Sequence, residues 1–200
     1  MKKLLCEGAK TMDVSLNEEQ VKQLLDYHAL IHKWNKVYNL SAIRDPLESI
    51  KKHFLDSLSI LEFTKPGLLL DVGSGAGLPG IIIAIMKPKT NVFVIDSVGK
   101  KCRFMQTVKT ELELENLTVI NDRVESFNYP ESFSQITSRA FASAIETVNK
   151  TKHLISNDGR YLLMKGDNIA QENIENMESK VHTLKVPFVS DKRSLLEIKI

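Results

Sequence analysis

Cysteine is scarce in this sequence of 200 residues, and its two cysteines, Cys6 and Cys102, lie far apart. Neither belongs to a Cys-x-x-Cys pair, which argues against a disulfide-stapled fold and a cysteine-rich metal site. His28 and His32 have the spacing of helical metal ligands, but the nearby sequence supplies no third donor at a matching spacing. We therefore expect reduced thiols, no metal centre and a cytoplasmic location.

Long apolar runs are also missing. No stretch reaches the length that spans a bilayer, and residues 1–7 turn polar too soon for a signal peptide. The hydrophobic fraction of 42% is ordinary for a globular protein, and the length suffices for one α/β domain with a small addition. We expect a protein without a membrane partner, and we expect it to be a monomer.

A large net charge is absent as well, since 27 basic and 25 acidic residues leave a formal charge of +2. The charges are unevenly distributed, because residues 1–110 carry a balance of +5 and residues 111–200 a balance of −3. A basic half fits a polyanionic partner that meets one side of the fold. Scattered, solvated lysines are the alternative explanation.

The most informative stretch is residues 68–85, in which an apolar run ends in an acid, alternate glycines follow, and a second apolar run begins. Residues 68–72 predict a buried parallel strand, and residues 79–87 predict a buried helix with Pro79 near its first turn. The glycines between them allow positive φ and let a ligand approach the backbone closely. The amides at the helix start attract an anionic or polar group.

Two cofactors fit this glycine loop. Residues 75–80 satisfy the Gly-x-Gly-x-x-Gly dinucleotide fingerprint, with Asp96 about 20 residues further on at the end of a second strand. The wider Asp-x-Gly-x-Gly-x-Gly pattern at residues 71–77 resembles motif I of S-adenosylmethionine-dependent methyltransferases. A carboxylate at Asp71 repels a pyrophosphate and suits a zwitterion that carries an ammonium and a sulfonium group. A nicotinamide-dependent oxidoreductase is the alternative.

Strand and helix patterns alternate from residue 68 onward and predict an α/β fold with a parallel sheet. The expected strands are 68–72, 91–96, 117–121, 134–138 and 160–165, and the expected helices are 79–87, 99–115, 141–154 and 168–180. Residues 183–189 and 194–200 have no helix between them and predict a terminal antiparallel pair.

Two helices are expected before the sheet. A capping box at residues 15–18 opens the first, which runs to about Lys36, and Asp45-Pro46 opens the second. We therefore expect an N-terminal helical extension, residues 1–64, that packs on a core formed by residues 65–200.

Polar residues follow three of the expected strands, at the edge where doubly wound sheets bind ligands. Asp96 can accept hydrogen bonds from both ribose hydroxyls of a nucleoside, with helix capping as the alternative role. Residues 121–125 are suited to hold an adenine edge. Arg139 follows the fourth strand and can bind a cofactor carboxylate or a substrate phosphate, or form a structural ion pair.

Two catalytic devices are absent after the fourth strand. The sequence has no Asn/Asp-Pro-Pro-aromatic box to grip an exocyclic amine, and no Pro-Cys nucleophile for attack on a pyrimidine carbon. The N7 atom of guanine needs neither, because it has an in-plane lone pair and no proton to lose. Catalysis at such an atom reduces to alignment and electrostatics.

Together these segments resemble the glucose-inhibited division protein B family, the bacterial small-subunit ribosomal RNA guanine-N7 methyltransferases. The resemblance covers nearly the whole chain and runs through residues 34–40, 44–46, 53–57, 71–80, 96–97, 100–101, 123–125, 138–141 and 165–166. It implies a class I S-adenosylmethionine-dependent methyltransferase fold, which is Rossmann-like with a seven-stranded, mostly parallel sheet. It further implies a target guanine in the 530 loop of 16S rRNA, presented as RNA or as the small ribosomal subunit. An inactive RNA-binding relative is the alternative.

The expected S-adenosylmethionine-binding residues come from the glycine loop and from the strand ends. They are Asp71, Gly73, Gly75, Gly77, Leu78, Asp96, Arg123, Val124, Glu125 and Arg139. The resemblance implies five of them, namely Gly73, Leu78, Val124, Glu125 and Arg139. Arg139 is also the expected catalytic residue, with an orienting role, and we expect no general base.

The expected RNA contacts are basic residues of the extension and of the sheet edge. They are Lys33, Lys36, Arg44, Lys51, Lys52, His53, Lys100, Lys101, Arg103 and Lys165. His53, Asp56 and residues 34–40 are candidates for a surface that faces RNA or closes over the cofactor. Helix packing and capping are the alternative roles for them.

Overall fold

The computed structural model describes residues 1–166 and 177–200. Within these residues the strands are β1 (Gly67–Val72), β2 (Thr90–Ile95), β3 (Leu117–Ile120), β4 (Phe133–Arg139), β5 (Ile155–Lys165), β6 (Glu178–Leu184) and β7 (Arg193–Lys199). They form one seven-stranded sheet in the order β3-β2-β1-β4-β5-β7-β6. Strands β1 to β5 are parallel, and β7 runs antiparallel to both β5 and β6. The expected class I architecture is confirmed.

The helices lie on both faces of this sheet. They are α1 (Lys2–Thr11), α2 (Glu18–Tyr38), α3 (Pro46–Ser49), α4 (Asp56–Leu58), α5 (Gly80–Met86), α6 (Gly99–Glu111) and α7 (Ala144–Thr151). Helices α1, α2, α5 and α6 share one apolar core, whereas α7 packs in a second core on the opposite face. Among the described residues, no helix combines the length and the apolar composition needed to cross a bilayer.

The register of the parallel strands gathers their carboxyl ends at one edge of the sheet. Val72, the last residue of β1, is paired with Ile95 of β2 and with Ser138 of β4. Ile95 is in turn paired with Ile120 at the end of β3. The strand order reverses at β1, so the residues after these strands surround the crevice where such sheets bind ligands.

The helical extension is capped two residues later than expected. Asn17, not Ser15, is the N-cap of α2: its side chain accepts from the amide of Gln20, and the Gln20 side chain accepts from the amide of Asn17. The helix ends at Tyr38, because Asn39 adopts the left-handed conformation with φ of 49°. Tyr27 anchors the helix on the core by donating a hydrogen bond to the carbonyl of Ala76.

The second expected helix begins where predicted but is not a uniform α-helix. Asp45 caps α3 by accepting from the amide of Glu48 at 2.8 Å, and Pro46 occupies the first turn. Residues Ile50–Leu55 then wind as a π-helix before α4 continues. This wider turn adds a residue to the helix and changes which side chains face the sheet. His53 and Phe54 are both buried in it.

The C-terminal elements differ most from the sequence prediction. The end of the helix expected at 168–180 is wrong, because residues 178–180 belong to β6, where Glu178 is paired with Lys199; residues 167–176 lie outside the described residues. The strand expected at 183–189 is Glu178–Leu184. Helix α7 begins only at Ala144, since Ser143 caps it by accepting from the amide of Glu146.

Candidate functional site

The glycine loop adopts the backbone that its sequence predicts. Gly73, Gly75 and Gly77 have φ values of 65°, 62° and 88°, a region in which side chains other than glycine are strained. The amides of Gly73 and Ser74 both donate to the carbonyl oxygen of Ile95, at 2.9 and 3.2 Å. These bonds fasten the loop to the end of β2 and hold it at the ligand edge of the sheet.

Asp71 lies beneath the loop and is completely buried. Its Oδ2 accepts a hydrogen bond of 2.9 Å from the amide of Gly80, the first residue of α5, and its Oδ1 has no hydrogen-bond partner within the described part of the chain. The carboxyl group therefore braces the turn from inside. It also accepts the hydrogen bond of the Gly80 amide, one of the amides at the helix start that the sequence analysis offered to a ligand.

Burial raises the pKa of Asp71 from 3.8 to about 7, while the Gly80 amide opposes the shift. Between these two values the folded chain keeps a proton that the unfolded chain has released, so this group makes stability fall as pH rises. We expect Asp71→Asn to remove this contribution, which has a slope of up to about 1.4 kcal/mol per pH unit. Urea unfolding of both proteins across that pH window measures it, and a pH-independent difference between them would contradict the expectation.

A cavity of about 330 Å³ opens beside the loop, at the carboxyl ends of β1, β2 and β4. We call it the first cavity. Gly73, Asp96, Arg123, Val124 and Glu125 line it, which are five of the predicted cofactor residues. Its volume is at the lower end of the range for small-molecule sites in proteins.

Asp96 is the buried acid of the first cavity. Its Oδ2 accepts from the amide of Gly75 at 3.0 Å, and its Oδ1 accepts from the amide of Val98 at 2.9 Å. Lys101 Nζ lies 3.4 Å from Oδ2. A carboxylate oxygen can accept more than one hydrogen bond, so Asp96 keeps capacity for hydroxyl donors of a ligand while it holds the loop in place.

Two further side chains line the first cavity that were not among the predicted cofactor residues. Phe141 lines it, and Lys150 Nζ lies 5.6 Å from the centroid of the Phe141 ring. Lys150 also pairs with Glu125 at 3.4 Å. Lys150 is on α7, far in sequence from the glycine loop, and no local spacing in the sequence links it to the site.

A second cavity, of about 430 Å³, lies beside the first, and Ala140 lines both. Ala140 follows β4 and has a positive φ of 53°. Its neighbours lie on different sides, since Arg139 lines the second cavity and Phe141 lines the first. The turn at Ala140 therefore separates two spaces that meet at the switch point of the sheet.

Arg139 lines the second cavity and contacts three residues of the helical extension. Its Nη1 donates to the carbonyl of Lys52 at 3.1 Å and to Asp56 Oδ2 at 3.2 Å. Its Nη2 lies 3.3 Å from His53 Nδ1. These contacts join the end of β4 to the π-helix, so Arg139 connects the sheet edge to the helical extension.

His53 is neutral at physiological pH. Burial, and after it the positive charge of Arg139, lower its pKa to about 4. Its Nε2 lies 2.6 Å from Ser41 Oγ. The residue thus fixes the segment after α2 against the π-helix rather than adding a charge to the cavity.

The histidine pair on α2 has no third metal-ligand candidate beside it among the residues that the structure describes. The rings of His28 and His32 are 4.4 Å apart, and His28 Nε2 donates to the carbonyl of Pro46 at 3.1 Å. Burial lowers the pKa of His28 to about 4. Within residues 1–166 and 177–200, no three His, Cys, Asp or Glu side chains are grouped to hold a metal ion.

The predicted RNA-contact residues fall into three groups. Lys33, Lys36, Arg44, Lys100 and Arg103 are exposed, although Arg44 also donates to the carbonyl of Asn35 and to Asn39 Oδ1. Lys52, His53 and Lys165 line the second cavity, and Lys101 lines the first. Lys51 is partly buried and pairs with Glu48 at 2.8 Å.

Comparison with known proteins identifies the family of this chain. The model of the family named GidB, rRNA small subunit methyltransferase G, matches residues 20–196. The chain belongs to the GidB family. The match confirms the predicted family, the methyltransferase class and the S-adenosylmethionine cofactor, and it decides against a nicotinamide-dependent oxidoreductase.

Relatives named ribosomal RNA small subunit methyltransferase G match over nearly their whole length. The one from Ruthia magnifica is 51% identical over 193 residues, covering 96% of this chain and 95% of the relative. The one from Pseudomonas fluorescens is 46% identical, covering 98% and 93%. The chain therefore spans essentially the full length of these GidB-family proteins.

Solved structures share the fold of this GidB-family chain at low sequence identity. A SAM-dependent methyltransferase from Aquifex aeolicus has a TM-score of 0.62 at 13% identity, over 81% of this chain and 97% of that one. The TYW2 protein of M. jannaschii, solved in complex with AdoMet, has a TM-score of 0.59 at 12% identity, over 74% of each chain. Both confirm the expected architecture.

Five predicted cofactor residues of this GidB-family chain do not line the first cavity. Asp71, Gly75, Gly77 and Leu78 shape the loop from behind, and Leu78 is buried in the core. Arg139 lines the second cavity instead. A direct contact between any of these side chains and the cofactor stays a prediction.

Proposed function

We propose that this chain transfers the methyl group of S-adenosylmethionine to N7 of a guanine in the 530 loop of 16S rRNA. The observation that carries the proposal is the pair of cavities that meet at Ala140. A methyl transfer needs a donor site and an acceptor site in direct contact, because the two reacting atoms must approach in line.

The first cavity is suited to the donor. Asp96 offers carboxylate oxygens for ribose hydroxyls, Val124 offers an apolar surface, and Gly73 lets a ligand approach the main chain. A β-carbon at Gly73 would come within 2.4 Å of the Phe141 ring, so the space there is shaped for a residue without a side chain. When bound, S-adenosylmethionine supplies an electrophilic methyl group on a sulfonium sulfur.

The residues around the acceptor position fit a reaction without a general base. Guanine N7 presents a lone pair in the plane of the ring and carries no proton, so no side chain must accept one. His53 is held neutral by burial and by Arg139. Arg139 then acts as a positioning group that connects β4 to the π-helix. The target base leaves its stack to reach the acceptor position.

The basic side chains around both cavities support an RNA partner. The family makes the substrate a ribosomal RNA, and we infer that 16S rRNA, alone or in the small subunit, meets the face formed by the extension of residues 1–64 and by α6. Phosphate contacts from exposed lysines and arginines give such binding its affinity. We infer further that the chain works in the cytoplasm, as a monomer, where its substrate is assembled.

The direct test is transfer of labelled methyl from S-adenosylmethionine to unmodified 16S rRNA and to small subunits, followed by mapping of the modified nucleotide. We expect a single N7-methylguanine in the 530 loop. Label on another base or another atom would contradict the proposed site. A protein that binds both partners and transfers no label would match the inactive RNA-binding alternative.

Replacing Lys51 and Lys52 together with alanine tests the proposed RNA face. Each lost phosphate contact should reduce the slope of log affinity against log salt by about 0.7 to 0.9, so affinity should fall and depend less on salt. The matched control is Lys87→Ala with Lys89→Ala, two lysines before β2 at the opposite edge of the sheet. Equal losses in both double variants, measured by RNA-binding titrations at several salt concentrations, would remove this face from the interface.

A further inference from the structure

The second cavity contains a buried acid to which the proposed methyl transfer assigns no role. Asp56, the first residue of α4, has 4% of its surface exposed and lines this cavity. Among the residues that the structure describes, Ala140 alone lines both cavities. Asp56 is therefore on the acceptor side of the Ala140 turn.

The carboxylate of Asp56 is held between two guanidinium groups. Oδ2 accepts a hydrogen bond from Arg139 Nη1 at 3.2 Å. Oδ1 is buried and lies 3.3 Å from Arg193 Nε as an ion pair, yet none of the described residues donates a hydrogen bond of proper geometry to it. A carboxylate has about four acceptor positions, so this side chain is oriented and only partly satisfied.

The two arginines act against the effect of burial on this acid. Burial raises the pKa of Asp56, and the charges of Arg139 and Arg193, together with the hydrogen bond from Arg139, oppose that rise. A carboxylate held between two guanidinium groups in a buried place forms strong hydrogen bonds with further donors.

Attack by N7 restricts which edge of guanine the protein can recognise. N7 and O6 form the edge that must face the donor, and an arginine bound to both would cover the reacting lone pair. The Watson–Crick edge points away from N7 and presents two parallel donors, N1–H and the N2 amino group. A carboxylate is the side chain whose two acceptors match that pair.

We propose that Asp56 is the specificity-determining residue, and that its carboxylate accepts the N1–H and N2–H donors of the target guanine in the second cavity. This inference rests on the proposed function and adds the atoms by which guanine is chosen. Adenine lacks both donors at these positions, so it would leave the buried acid unpaired. Arg139 and Arg193 act as positioning residues that hold the carboxylate.

The test compares guanosine with inosine at the methylated position of otherwise identical RNA. Inosine keeps N7 and N1–H and lacks the N2 amino group. With the wild-type protein we expect kcat/KM to fall by about tenfold to a hundredfold on inosine RNA, the effect of one hydrogen bond to a charged acceptor. With Asp56→Asn we expect a large loss on guanosine RNA and a guanosine-to-inosine ratio close to one, because the two changes remove the same interaction.

The control variant is Asp191→Asn. Asp191 is exposed and contacts the same Arg193, at 3.4 Å, without lining the second cavity, so its guanosine-to-inosine ratio should equal that of the wild type. Calorimetric binding of S-adenosylmethionine, expected to be unchanged in both variants, shows that they are folded.

The outcomes separate this inference from the proposed function. A wild-type protein that methylates guanosine and inosine RNA equally overturns the inference without any variant. An Asp56→Asn protein that keeps the wild-type guanosine-to-inosine ratio also overturns the inference. The cavity would then bind a phosphate, or Asp56 would form a purely structural ion pair. A wild-type protein that methylates neither RNA overturns the proposed function, and the inference with it.

Discussion

Asp96→Ala is expected to weaken the binding of S-adenosylmethionine by about 100-fold or more. The side chain offers a charged acceptor to two ribose hydroxyls, and a hydrogen bond to a charged group contributes about 1.5–3 kcal/mol. It also accepts hydrogen bonds from the amides of Gly75 and Val98, so its loss releases the glycine loop as well. Isothermal titration calorimetry with the cofactor measures the change directly.

Two further variants separate these contributions. Asp122→Ala removes an exposed carboxylate that lines the same cavity and accepts a hydrogen bond from the amide of Arg123, so affinity should change by less than about tenfold, as for other exposed charges. Asp96→Asn keeps one acceptor oxygen and should fall between Asp96→Ala and the wild type. A dissociation constant for Asp96→Ala equal to that of Asp122→Ala would remove Asp96 from the binding site.

Gly80→Ala is expected to lower the free energy of unfolding by about 2 kcal/mol, through overpacking. A β-carbon at this position would lie 2.6 Å from Val94 Cγ1 and 2.8 Å from Asp71 Oδ2, and both of those residues are fully buried. The amide of Gly80, which donates a hydrogen bond to Asp71, would have to move. Alanine's better helix propensity, worth about 1 kcal/mol, offsets only part of this strain.

Gly99→Ala is the matched control, because Gly99 is the first residue of α6 as Gly80 is of α5. Among the described atoms, its added β-carbon would meet Asn121 Oδ1 alone, at 3.2 Å, at the end of an exposed side chain. We expect a change within about 1 kcal/mol in denaturant unfolding. Equal destabilisation of the two variants would show that the contact with Asp71 is not the cause.

The sequence predicts the part of this fold that depends on local pattern. The strand β1, the glycine loop and α5 follow from one apolar run, three residues with positive φ and a second apolar run. Alternating strands and helices similarly predict the parallel sheet. Boundaries were less accurate, because competing caps such as Ser15 and Asn17 lie close together and only the folded chain selects one.

The sequence does not predict contacts between distant segments. Asp56, Arg139 and Arg193 meet in the second cavity from three elements separated by more than fifty residues each, and no spacing in the sequence connects them. The π-helix at Ile50–Leu55 also has no local signal, and it directs His53 and the Lys52 carbonyl toward Arg139. The sequence therefore does not predict that Arg139 lines the second cavity and contacts Asp56; its contact with the cofactor stays a prediction.

Asp71 illustrates a related difficulty. A carboxylate at its position in the motif suits a cofactor that carries an ammonium and a sulfonium group, and a direct contact with that cofactor stays a prediction. In the folded chain the carboxyl group lies under the loop and accepts a hydrogen bond from the Gly80 amide. The two roles require the same residue type at the same spacing. Only the direction of the side chain distinguishes them, and that direction depends on packing against α5 and β2.

The most direct measurement is a crystal structure of the full chain with S-adenosylmethionine bound. The cofactor should fill the cavity between Gly73, Asp96 and Val124, with its methyl group directed past Ala140 toward Asp56 and Arg139. A cofactor bound elsewhere, or one whose methyl group points away from the second cavity, would contradict the assignment of donor and acceptor sites.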